Sequence, residues 1–142
     1  MAYVWIRLLH AAAASVWMLG LLAAAVAAFP ASGPSAAPLA GPSGFVRGMA
    51  RWDLRVTLPA MVLTLACGVH LAATGWFGQA WLSAKLAIVA LLVLLQAAYS
   101  VVLGRLAVRP GYRSPGWLMP GSIAAFAGGL LVVLLAVVKP QF

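Results

Sequence analysis

The sequence predicts an all-α integral membrane protein, with four transmembrane helices in an antiparallel bundle and both termini on the outer, periplasmic side. Three observations carry this. First, 65% of the 142 residues are apolar and only 7% are charged, whereas a soluble domain carries roughly a quarter charged residues. With a mean hydropathy of +1.09, the chain cannot cover a water-facing surface. Second, four apolar runs reach the length of about 20 residues that a spanning helix needs. Third, most basic residues gather at the run ends, where a membrane protein keeps them. Nine Lys and Arg face one acid, for a formal net charge of +8. A pI near 11.3 would suit a nucleic-acid binder if these residues formed a solvated patch; their position at run ends predicts no nucleic-acid partner. One acid also excludes catalysis by paired carboxylates. The single Cys67 excludes an intramolecular disulfide and a cysteine-cluster metal site.

The first run covers about residues 4–29 and stops at Pro30. A rival reading of it is a signal peptide cleaved near AAAVAAF, but the run is long for an h-region. Residues 30–47, rich in Pro, Gly, Ser and Ala, predict an irregular loop. The second run covers 57–76, with Pro59 in its opening turn, where a missing N–H costs little. A very short turn then makes the second and third helices, 57–76 and 81–103, antiparallel neighbours. The fourth covers 119–138, with Pro120 in its first turn. Tyr3, Trp5, Trp76, Trp81 and Trp117 lie near run ends, as an interfacial aromatic belt would. The sequence shows no internal repeat and reads as one membrane domain over 1–142.

Orientation follows from charge. Arg47, Arg51 and Arg55, with Asp53, occupy the first loop, and Arg105, Arg109 and Arg113 the third; the second has none. Both basic loops are therefore expected in the cytoplasm.

Ionisable residues inside the runs are the informative ones, because each is expensive in hydrocarbon. At about 1.5 Å per residue, His10 and His70 each lie about 9 Å below the outer boundary, and Lys85 about 6 Å. Arg7 sits one turn above His10, and Lys139 emerges at the same surface. No comparable layer is read in the inner half. Two histidines on facing helices at one depth suit a haem b, since neutral imidazoles ligate the iron from both sides. Arg7, Lys85 and Lys139 would neutralise its propionates, and Trp17, seven residues after His10, would wall the pocket. The bland alternatives are an interhelical hydrogen bond for each histidine and snorkelling or interface anchoring for the cations. Gln96 and Tyr99 lie within roughly 40° of Lys85 on one face of the third helix, a line for substrate or protons, or a hydrogen-bonded packing face. Gly121, Ala125 and Gly129 predict a close-packing face. Cys67, Met18 and Met61 are the soft donors that copper would use beside the histidines, although Met is more often filler.

The layout resembles the HemJ-type protoporphyrinogen oxidases and the related CopD-type membrane domains. The matching positions are Trp5, Leu9-His10, Trp17 and Gly20 on the first helix, Arg51 to Arg55 before Pro59, Gly68, the Trp81-x-x-x-Lys85-Leu86 piece, and the closing Val137-Val138-Lys139-Pro140 with Phe142. This resemblance implies a b-haem protein of the bacterial inner (cytoplasmic) membrane. It also implies oxidation of protoporphyrinogen IX, with electrons passing to the respiratory chain and His10 and Lys85 as functional residues. The chain departs from the pattern at Tyr99-Ser100 (Tyr-His in the family), at Met119-Pro120 (an acid before the proline) and in Leu21 to Ala28, which lacks an Arg. His70 has no counterpart in the pattern. The expected partners are membrane lipid and a porphyrin or quinone-like molecule, with the chain a homo-oligomer or a subunit of a larger membrane complex. The alternatives are a CopD-like copper protein or a small accessory subunit.

Overall fold

A computed structural model describes residues 2–28, 44–73, 80–109 and 111–138. Pro30, most of the predicted first loop, Trp76 with its turn, and Lys139 to Phe142 lie outside the described residues. The elements are α1 (Ala2–Ala28), α2 (Gly44–Trp52), a π-helical turn (Asp53–Thr57), α3 (Leu58–Ala73), α4 (Ala80–Val108) and α5 (Leu118–Val138). Among the described residues, three helical stretches are long and apolar enough to cross a membrane: Ala2–Ala28, Gly44–Ala73 and Leu82–Val108. α5 is 21 residues long, and its stretch Pro120–Leu131 is apolar.

The largest departure from the sequence reading is at the second helix. It begins at Gly44, inside the stretch expected to be loop, and runs through α2, the π turn and α3. Pro59 therefore does not open a free helix; it lies inside a continuous one. A proline there has no N–H for the carbonyl four residues earlier and crowds it. The chain accommodates this by widening the preceding turn: the Leu58 N–H bonds Asp53 O, five residues back. The wide turn leaves both Asp53 and Thr57 facing the core.

Packing follows helical periodicity. On α1, Trp17, Leu21, Ala24 and Ala28 are buried at steps of three or four, while Leu19 and Val26 are exposed. On α4, Leu92, Leu95, Tyr99, Val102, Leu103 and Leu106 are buried, while Leu91, Leu94 and Val101 face outward. An outer surface of Leu, Val, Ile and Phe is what lipid requires and what water would reject. α1 packs on α3, α4 and α5, so it lies between α3 and α4. The two are neighbours in sequence, but α4 meets the second helix mainly through α2.

Small residues set the close approaches. A Cβ on Gly20 would lie within 3 Å of three Thr57 side-chain atoms. Gly121 approaches Leu95 of α4, and Gly129 approaches Met18 of α1. The predicted packing face of α5 thus meets two helices, and Met18 acts as filler there. Between α4 and α5, Tyr112 N bonds Arg109 O and Gly111 adopts φ 75°. That left-handed conformation favours glycine, and Pro110-Gly111 is the matching turn sequence. Ser114 Oγ then donates to Ala28 O at 3.3 Å, satisfying a carbonyl at the end of α1.

Candidate functional site

Polar side chains collect at two levels, termed outer and inner after the orientation expected from charge. The outer level is built on His10, seven residues or about 10 Å along α1 from Trp17. His10 is half-buried, and its Nδ1 lies 2.9 Å from Thr64 O on α3. A carbonyl only accepts, so Nδ1 carries the proton and donates. The neutral ring then presents Nε2 as a lone pair. Gly68 makes the contact possible: a Cβ there would stand 3.2 Å from His10 Cε1. Thr64 turns its own hydroxyl back to Ala60 O at 2.8 Å. Lys85 of α4 is half-buried and close enough to His10 to act on it electrostatically. The structure therefore brings His10 and Lys85 together, from helices far apart in sequence.

Among the other expected members of the outer layer, Lys139 lies outside the described residues. His70 is exposed. It follows Gly68, which faces His10, by two residues, about 200° around the axis of α3. Arg7 is exposed, its guanidinium 5.7 Å from the centre of the Tyr3 ring. Trp17 is buried and serves the inner level. Tyr3, Trp5 and Trp117 are exposed, as an aromatic belt requires. Among the described residues, no three or more His, Cys, Asp or Glu side chains converge on a point that could hold a metal ion.

The inner level holds a buried ionisable group where none comparable to the outer layer was expected. Asp53, placed by its arginine neighbours in a cytoplasmic loop, is 2% exposed. Its Oδ1 accepts from Gln96 Nε2 at 2.7 Å, and its Oδ2 accepts from Ser100 Oγ at 2.5 Å. Gln96 Oε1 accepts from Trp17 Nε1 at 3.2 Å. Trp17 can only donate and a carboxylate only accept, so Gln96 relays between them with its amide orientation fixed. One turn further, Tyr99 Oη donates to Leu118 O at 2.8 Å and lies against Ser122 Oγ, which bonds the same carbonyl. The predicted polar line of α4 is thus an interhelical packing network at Gln96 and Tyr99. Thr57 Oγ1 is the one buried side-chain polar atom without a partner among the described residues.

Sequence reasoning missed Asp53, Ser100 and Ser122. The available sign was the spacing of Arg47, Arg51 and Arg55, every four residues, which is helical. It puts Asp53 on the opposite face, with Val46 and Ala50. No protein-family model, curated protein or solved structure matches the chain.

Proposed function

We propose that this chain is a four-span haem-b redox protein of a bacterial inner membrane, in which His10 would hold the iron. The observation that carries the reading is the His10 Nδ1–H bond to Thr64 O. Metal-ligating histidines almost always donate the second ring N–H to a carbonyl or carboxylate, which orients the ring and fixes the tautomer. His10 has that arrangement, and its Nε2 is left for iron. Lys85, within electrostatic range, is placed to neutralise a propionate or an anionic porphyrin substrate. Haem, when bound, supplies the one-electron chemistry that a chain with one carboxylate does not provide for itself. The protein's part is to hold the imidazole, neutralise acid groups and exclude water.

The resemblance to HemJ-type enzymes supports a porphyrinogen as substrate and the respiratory chain as electron sink. The arginine distribution supports α5 as the fourth span, with both termini outside. The placement of His70 favours ligation by His10 without it. The test is an optical spectrum and pyridine haemochrome assay on protein purified under haem-preserving conditions. A b-type band that His10→Ala abolishes and His70→Ala retains is expected. Absence of the band from the wild type, or its persistence in His10→Ala, overturns the reading.

A further inference from the structure

The loop arginines do more than set orientation, because the fold gathers them on a common surface. Val46, Met49 and Ala50 of α2 pack in one cluster with Leu103, Leu106 and Tyr112. This seats α2 along the end of α4 that leads into the Arg105 to Arg113 segment. Arg51 and Arg55 on one side, and Arg105, Arg109 and Arg113 on the other, are all exposed. Arg105 lies 5.9 Å from the Tyr112 ring centre, a contact that brings it no negative charge.

The chain contains one acidic side chain, and its carboxylate is buried against Gln96 and Ser100. The counter-charge for this surface must therefore come from outside the chain. Large apolar side chains stand among the arginines: Phe45 is 63%, Trp52 52% and Leu54 63% exposed. They belong to a helical stretch, Gly44–Ala73, that is itself long and apolar enough to cross a membrane. Guanidinium groups beside exposed Phe, Trp and Leu at the end of such a helix match the boundary where phosphate and hydrocarbon adjoin.

We propose that α2 and the α4–α5 connection form a binding surface for anionic phospholipid headgroups, with the arginines on phosphate and Phe45, Trp52 and Leu54 in the acyl boundary. The phosphate charge and the apolar side chains together select a lipid over an acidic protein segment.

The experiment uses the full chain purified in dodecyl maltoside. Native mass spectrometry measures retention of added phosphatidylglycerol against phosphatidylcholine, and thermal unfolding is followed with each lipid and with inorganic phosphate alone. Preferential retention of phosphatidylglycerol is expected, with a higher Tm that phosphate alone does not reproduce. Preference should fall about fivefold per arginine removed in Arg51→Gln/Arg55→Gln, and likewise in Arg105→Gln/Arg109→Gln should the first pair fail to fold. Equal retention of the two lipids overturns the proposal, as does an undiminished preference in a folded variant. So does a phosphate-only effect, or an acidic polypeptide that remains bound and blocks phosphatidylglycerol. Haem content should not change in either pair, so this proposal and the haem reading fail separately.

Discussion

In the inner half, Asp53, Gln96, Ser100 and Trp17 are tied across three helical stretches, each bond closing on another side chain of the network. In the outer half, His10 and Lys85 are half-buried, and His10 makes one bond, to a backbone carbonyl. Both levels place ionisable groups in an apolar bundle, where a polar group is costly unless partnered. A network that meets its own hydrogen-bonding needs fixes geometry. A group that keeps a lone pair and a half-open face is available to a ligand. The comparison teaches that stability should reside at the inner level and chemistry at the outer one.

Asp53→Ala should break this division most severely on the stability side. It removes the charged acceptor of Gln96 Nε2 and Ser100 Oγ, leaving them the weaker Gln96 Nε2–Ser100 Oγ and Ser100 Oγ–Gln96 O bonds at 3.2 and 3.0 Å, and a hydrogen bond to a charged group contributes roughly 1.5–3 kcal/mol. A loss on the order of 3 kcal/mol is expected in reversible unfolding from mixed detergent micelles. Protein that remains folded should keep the b-type band expected of the wild type. A variant that kept its stability but lost haem would assign the inner level to the cofactor and reverse the comparison.

Gly20→Ala comes next. The new methyl group would overlap the Thr57 side chain, which is fully buried on the π turn. Overpacking of this kind costs roughly 1–3 kcal/mol. Thr57 Oγ1 has no partner among the described residues, so Thr57→Ala alone loses no hydrogen bond there, and combined with Gly20→Ala it should recover part of the loss, the remaining Cβ still standing 2.9 Å from the new methyl group. A double variant no more stable than Gly20→Ala alone would show that the contact lies elsewhere.

Glycines away from both levels sharpen the contrast from the other direction. Gly104 is exposed on α4, and a methyl group there would meet nothing within 4 Å among the described residues. Gly104→Ala should therefore raise stability by about 0.5–1 kcal/mol through the backbone entropy of the unfolded chain, measured in the same unfolding assay.

Legibility in the sequence divided along the same line. His10 and Lys85 could be found because an ionisable residue inside an apolar run is conspicuous whatever the packing. The existence of α1, α4 and α5 was legible for the same reason, since hydrocarbon length alone sets them. Asp53 was hidden by its neighbours: three arginines made the segment look like a loop, and Pro59 looked like a helix start. Only the helical phase separates Asp53 from Arg51 and Arg55, and the π turn then shifts that phase. The position of His70 was not legible, because its depth is set by residue count whereas its facing depends on how α3 is rotated against α1. The packing of α1 against the π turn and α3 depends on Gly20 meeting Thr57 and Gly68 meeting His10, contacts that no single run contains.

His10→Ala provides the smallest expected stability effect and the cleanest separation of the two levels. One interhelical hydrogen bond inside a membrane contributes about 0.6 kcal/mol on average, and His10 contributes one to the α1–α3 contact. Loss of the b-type band with an unfolding free energy lower by no more than about 1 kcal/mol is expected. Gly68→Ala makes the complementary change: it leaves the imidazole intact but sets a methyl group 3.2 Å from Cε1. The ring must then shift off Thr64 O by a few tenths of an ångström, loosening its orientation. A weakened or shifted haem spectrum at nearly unchanged stability would show that the Thr64 bond aims the ligand. An unaltered spectrum would show that His10 Nε2 finds its position without that bond, and the division between a structural inner level and a chemical outer one would then rest on burial alone.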